Sequence, residues 1–334
     1  MLYRCLPTLT VLALVLLLAG CGDDASVVQD PAPAPAPPEQ RRQVPVPAFN
    51  ADSAYQYVAD QVAFGPRVMN TPAHAAALEY LAGQLDRFGA EVERQNFTAT
   101  AYDGKTLNGT NLIGRFSPDH PQRIVLAAHW DTRHVADSEL ETNPDAVVHG
   151  ADDGASGVGV LLELARQLGQ ATPDVGIDII FFDAEDYGGS GNVDSWGLGS
   201  QHYARNLSGT RPQYGVLLDM VGARDAQFAY ELISKQNARP VMDKVWGLAR
   251  SIPVAKPYFV TRDGGGVTDD HFFVMKYGGF PMIDIINHRT DTKSGFVPHW
   301  HTGEDNLDKI DRATLRAVGQ TVTALVYREG QGRI

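Results

Sequence analysis

Cysteine is almost absent from this chain. Of 334 residues only Cys5 and Cys21 are cysteines, and both fall within the first 21 positions. A disulfide framework inside a folded domain is therefore excluded. A basic stripe is missing too. Lys and Arg number 28 against 40 Asp and Glu, for a net charge of −12. Binding a nucleic-acid backbone needs clustered cations, so a nucleic-acid partner is disfavoured. The apolar run from Leu9 to Leu18 is too short to span a bilayer comfortably as a helix, and no internal repeat is visible. What is present is a 43% hydrophobic composition, enough for the core of one large or two small domains.

The N-terminal stretch reads as a signal. Arg4 precedes the apolar run, and Leu18-Ala19-Gly20-Cys21 closes it with the small residues of a cleavage site. Leu-Ala-Gly-Cys also resembles the bacterial lipobox, which implies cleavage after residue 20 and a lipid on Cys21. Residues 21–48, with Pro31-Ala32-Pro33-Ala34-Pro35-Ala36-Pro37-Pro38 and later Pro45 and Pro47, favour extended polyproline II and read as a tether. The expectation is a cell-envelope protein, held to a membrane by its lipid alone, with a folded domain over 49–334.

Within that domain, Asp52 and Ser53 can cap a helix running to about Phe64. Thr71-Pro72 opens a second, with Ala76, Leu78, Leu81 and Leu85 expected on its buried side and Gly89 as its stop. Strands are expected at 111–116, 124–128, from Ile177, at 214–220 and at 280–286. Helices are expected at 154–168, 269–275 and 310–327. Strands alternating with helices argue for a mostly parallel sheet covered on both faces, a three-layer α/β/α sandwich.

The chemistry gathers at strand ends. Ile179-Ile180-Phe181-Phe182 is an apolar run without helical period that stops at Asp183-Ala184-Glu185-Asp186, and carboxylates just past a buried strand lie where open α/β sheets bind ligands. Ala128-His129-Trp130-Asp131 ends another strand. Asp153 immediately precedes a helix, where it can cap and still offer lone pairs to a metal. Asp153, Asp186 and His301, two carboxylates and an imidazole, match a catalytic zinc site with an open position. Their separations in sequence have no regular spacing, so the sequence alone does not bring them together. Glu185, beside a ligand, is then free as a general base. Trp130, Trp196 and Trp300 each read first as packing, although Trp300 adjoins a candidate ligand.

His129-Trp130-Asp131, Gly150-Ala151-Asp152-Asp153, Asp183-Ala184-Glu185-Asp186, Leu218-Asp219-Met220-Val221-Gly222, Asp269-Asp270-His271 and His301-Thr302 follow one another as in the co-catalytic zinc aminopeptidase superfamily. Within it the chain looks most like the glutaminyl-peptide cyclotransferases over residues 50–328. Trp300 directly before His301 and the added segment Tyr187 to Trp196 carry that likeness. The resemblance implies one zinc per chain on Asp153, Asp186 and His301, with Glu185 as proton shuttle and Asp219 and Asp270 as its hydrogen-bonded acidic neighbours. Trp300 would line the pocket, and the substrates would be peptides with N-terminal Gln, acted on by a monomer.

Two departures stand out. Asp186 replaces the Glu usual in the superfamily, and Asp284 sits where animal cyclases carry a histidine, so Asp284 has to be protonated or paired. In the aminopeptidases His129, Asp219 and a bridging Asp153 hold a second zinc, so a di-zinc aminopeptidase is the rival reading. A non-catalytic peptide-binding lipoprotein is a third.

Overall fold

A computed structural model describes residues 44–143 and 145–334. The expectations for the signal, for Cys21 and for most of the tether lie outside the described residues. Of the tether, residues 44–48 are described, and they are packed rather than free: Val44 and Val46 lie against the core, and Gln331 donates to Val44 O and Gln320 to Pro47 O.

The chain then runs α1 (Ala51–Ala63), α2 (Pro72–Arg87), β1 (Glu91–Thr100), β2 (Thr106–Phe116), β3 (Arg123–His129), α3 (Ala155–Gln170), β4 (Gly176–Phe182) and α4 (Leu198–Arg205). It continues through β5 (Gly215–Asp219), β6 (Phe228–Tyr230), α5 (Leu232–Asn237), α6 (Arg239–Ser251), β7 (Phe259–Asp263), α7 (Asp270–Phe273), β8 (Met282–Ile286) and α8 (Arg312–Gly330). The main sheet has the order β1-β2-β4-β3-β5-β8. Its four strands β4, β3, β5 and β8 are parallel, and β1 and β2 pair antiparallel at one edge. The expected three-layer, mostly parallel architecture is the one observed.

The period of two along each strand separates the layers. Leu126, Ala128, Ile177, Ile179, Phe181, Val216 and Leu218 face a core shared with α1, α2, α3, α6 and α8. Val125, Ala127, Ile180, Phe182 and Leu217 face the opposite way, toward Tyr203 and Ala204 of α4 and Val274. Helix α3 is seated close against the sheet. A Cβ on Gly157 would stand 2.2 Å from Leu218 O of β5, so any side chain there would lift α3, and with it Asp153, off the sheet.

Local details differ from expectation. The cap of α1 is Asn50, whose side chain accepts from Asp52 N and Ser53 N; Asp52 and Ser53 are the capped residues. Helix α2 buries His74, Ala77, Leu81, Ala82 and Leu85, and Ala76 is exposed. The rotation has a cause: His74 stacks on Trp130 at 4.3 Å and its Nε2 lies 2.8 Å from Asp183 Oδ1. α7 is one short turn that passes into a π-helical stretch, Val274–Gly278.

Candidate metal centre and active site

The acidic turn after β4 is held by two buried carboxylates, its own Asp183 and Asp131 from just past the end of β3. Asp183, buried, accepts from Thr110 N at 2.7 Å and Ala184 N at 2.9 Å. Ala184 adopts φ 53°, so the chain turns sharply instead of continuing as a pleat. Glu185 N and Asp186 N then both donate to the Asp131 carboxylate, each at 3.1 Å. The alternation of an extended strand, which the sequence suggested as the reason Glu185 and Asp186 point apart, is replaced by this turn.

A matching clamp holds the other ligand loop. Asp305 accepts from Asp152 N at 2.8 Å and Asp153 N at 3.1 Å. Asp153 does not cap α3; the cap position is Gly154, at φ 82°, with no side-chain hydrogen bond. A Cβ on Gly154 would meet His129 Cε1 at 2.8 Å, so glycine is needed for the loop to pass His129. The Arg67 guanidinium, fully buried, ties the two regions by donating to Trp130 O, His149 O and Gly150 O; burial lowers its pKa to about 10.

These supports bring Asp153, Asp186 and His301 together, with one donor atom of each within 4.8 Å of the others. His301 Nε2 lies 3.0 Å from Asp186 Oδ1 and 3.7 Å from Asp153 Oδ2. Its other nitrogen, Nδ1, is 2.9 Å from Asp137 Oδ1. Arg133 holds Asp137 in turn, and although burial opposes it, His301 and Arg133 keep the Asp137 carboxyl below its ordinary range. Burial disfavours the His301 cation, yet Asp186 and Asp137 push its pKa up to about 9. Asp186 Oδ2 is buried with no hydrogen-bond partner. An unsatisfied carboxylate oxygen, a second carboxylate and an imidazole aimed by a carboxylate fit a zinc ion. Neither Asp137 nor Arg67 was legible in the sequence, because each acts through the fold from a loop without a motif.

Asp153 has a second neighbour. His129 Nε2 lies 3.0 Å from Asp153 Oδ1 and 3.3 Å from Asp219 Oδ1, so Asp153 presents one oxygen to each histidine. Two adjoining sets of ligands thus share Asp153, as the rival reading requires.

Above them opens a pocket of about 390 Å³. Asp153, Glu185, Asp186 and His301 line one side, with Trp196, Val193, Phe296, Trp300 and Val267 around them. Trp300 stacks on His301 at 3.8 Å and on Phe296 at 4.5 Å. Trp130 is packing, as expected, but Trp196 is a correction: the segment between Tyr187 and Trp196 folds back and makes it a wall residue. Burial, then Asp269 and Asp186, raises the Glu185 carboxyl well above its ordinary range, the direction needed to hold a proton near neutrality. Asp219 lines the pocket and pairs with His129. Asp270 is fully buried and makes no hydrogen bond to Glu185; its neighbour Asp269 is the one that reaches the pocket.

Asp284, on β8, is fully buried. Burial and then Asp269 raise its carboxyl well above the usual range. Nearby Glu231 does the reverse. It accepts from Ile233 N, Ser234 N and Val267 N, and pairs with His271 at 3.1 Å. Burial opposes ionisation, but these partners win and bring it from 4.5 to about 2. A depressed carboxyl stabilises the fold above the unfolded pKa of 4.5 and loses that contribution as pH falls toward 2. Glu231→Gln is expected to cost on the order of 3 kcal/mol at pH 7, and the gap from wild type should narrow as pH drops below 4.5. Urea titrations at pH 7 and at lower pH read this directly; a gap independent of pH would remove the ionised Glu231 from the account.

Residues 111–326 match the family model described as peptidase family M28. Among solved structures, a zinc-dependent exopeptidase from Parabacteroides distasonis is 50% identical at a TM-score of 0.82, covering 85% of this chain and 99% of that one. A glutaminyl cyclase from Tannerella forsythia is 48% identical at a TM-score of 0.81, covering 84% and 99%. A curated glutaminyl-peptide cyclotransferase from Bos taurus is 25% identical over 292 residues, 78% of this chain and 77% of the relative.

Proposed function

The chain belongs to peptidase family M28, and from that membership, with its likeness to glutaminyl cyclases, we infer that it is a glutaminyl-peptide cyclotransferase. It converts the N-terminal glutamine of a peptide to pyroglutamate and releases ammonia. The observation that carries the reading is identity near one half, over 99% of a bacterial glutaminyl cyclase. The pocket suits it. A buried acid lies beside a three-donor metal centre, and aromatic walls can take an uncharged side-chain amide.

Asp153, Asp186 and His301 would hold the catalytic zinc, one ion at this centre. When bound there, zinc supplies Lewis-acid polarisation of the side-chain amide oxygen. Glu185 takes a proton from the attacking α-amine as the new carbon–nitrogen bond forms. It gives that proton to the departing nitrogen as the old bond breaks, so ammonia leaves and no water is consumed. Trp300, stacked flat on His301, and Trp196 orient the glutaminyl side chain and exclude water. Asp137 holds the His301 ring so that Nε2 faces the centre.

One observation favours a second reading, a di-zinc aminopeptidase: Asp153 faces His129 as well as His301. The two are separated by substrate. Glutaminyl dipeptides should release ammonia, whereas leucyl dipeptides should be inert, because a side chain without an amide has no carbon for the amine to attack. Free leucine in that assay would move the assignment to aminopeptidase.

Export is part of the proposal. Cys21, through a lipid on its N-terminus, would anchor the domain in the cell envelope on the Pro-rich segment. Cys21→Ser should leave the membrane fraction or remain unprocessed. A variant that stays membrane-bound with the wild-type processed, lipid-labelled N-terminus would rule the lipobox out.

A further inference from the structure

Behind the pocket wall, α5, α7 and β8 enclose another set of polar groups. Asp269, His271 and Asp284 are each more than nine-tenths buried, and one donor atom of each lies within 4.8 Å of the others. The His271 ring is fixed from behind, with Nε2 at 3.1 Å from Glu231 Oε2. Its Nδ1 therefore faces Asp284 Oδ2, at 3.9 Å. That is too long for a hydrogen bond, and Nδ1 has no other partner. Asp269 Oδ2 and both Asp284 oxygens also lack a donor. The charges acting most on Asp284 come from Asp269, Asp219 and Glu231, all acids.

Buried polar groups are normally satisfied, and two devices are available here. Asp269 and Asp284 lie close enough to share a proton, which would join one oxygen of each and leave the second Asp284 oxygen and His271 Nδ1 bare. A cation would satisfy all three side chains together. We propose that Asp269, His271 and Asp284 form a buried site for a zinc-like divalent cation, distinct from the catalytic centre. An imidazole with carboxylates suits zinc better than magnesium or calcium, which prefer oxygen alone. Ligand atoms on tetrahedral zinc stand roughly 3.3 Å apart, so the 3.9 Å between His271 Nδ1 and Asp284 Oδ2 has to close by roughly half an ångström. Glu231 on the far nitrogen is the carboxylate partner that metal-binding histidines usually have. The ion would lock α7 to β8. Because Asp269 also lines the pocket, it would weaken the negative field at Glu185.

The test is zinc content of the full chain, stripped with chelator and re-equilibrated with zinc alone, for wild type, Asp284→Asn, His271→Gln, His129→Ala and His301→Ala. Asp284→Asn and His271→Gln should each hold one ion fewer than wild type. Adding Asp284→Asn to His129→Ala or to His301→Ala should remove one further ion in each background. Asp284→Asn is nearly isosteric and decides the matter if His271→Gln does not fold. Anomalous scattering at the zinc edge should place a peak beside His271 Nδ1. Wild-type zinc content in Asp284→Asn, or no peak at that position, overturns the proposal; unchanged zinc with a raised Tm in Asp284→Asn would identify the shared proton instead.

Discussion

Glu185→Gln is expected to keep its zinc and lose about 10²–10⁴-fold in turnover, the range for removing a general acid or base. The substitution preserves length and shape, and the backbone that positions it is held by Asp131 through Glu185 N, which Gln does not disturb. What disappears is a group able to accept and return a proton. Burial and neighbouring acids make Glu185 a better base than an ordinary carboxylate, so the loss should fall toward the upper end of that range. KM for a glutaminyl dipeptide should change little. Ammonia release measured beside zinc content distinguishes the outcomes: near-normal turnover would take Glu185 out of the mechanism, and lost zinc would make it a ligand.

His301→Ala is expected to lose the catalytic zinc itself, and with it essentially all cyclisation. Three protein donors meet at this centre, and removing the only imidazole leaves two carboxylates with no neutral partner. Asp137→Asn should be intermediate. It keeps all three donors but weakens the hold on His301 Nδ1, with a loss of about 10–100-fold in metal affinity. His129→Ala should retain catalytic zinc, since its nearest contacts are Asp153 and Asp219 and not the other two donors. Competition against a graded chelator ranks the three variants. An ion lost with His129 and cleavage of leucyl peptides would together establish the di-zinc enzyme, whereas an ion lost only with His271 or Asp284 reports the buried site behind the pocket.

The core of the fold was legible because its central strands are mostly apolar, with charge confined to a few positions such as Asp178 and Arg123, and its helices repeat at helical spacing. β4 and α3 are plain examples, since every residue of β4 is buried. β1 escaped because it is an edge strand on which only Phe97 is buried, so its sequence, Glu91 to Thr100, carries neither an apolar run nor a clean alternation. α6 was overlooked although its signal existed: Val241, Met242, Val245, Trp246, Leu248 and Ala249 are its buried face. In the site, the donors could be named from motif order. The groups that aim them could not. Asp137 and Asp305 reach the centre only through loops whose path is decided by tertiary packing, and Asp305 bonds residues 153 and 152 positions away.

The paired clamps also have a consequence in time. The amides of Asp152, Asp153, Glu185 and Asp186 belong to loops, yet each donates to a buried carboxylate. Such protons exchange with solvent only when a larger piece of the domain opens, so these loops should be as slow to exchange as the strands they follow. A chelated chain then waits for its ion with the ligand loops already in place. Refilling the centre becomes a matter of delivery through the pocket, with little chain left to order when the metal arrives.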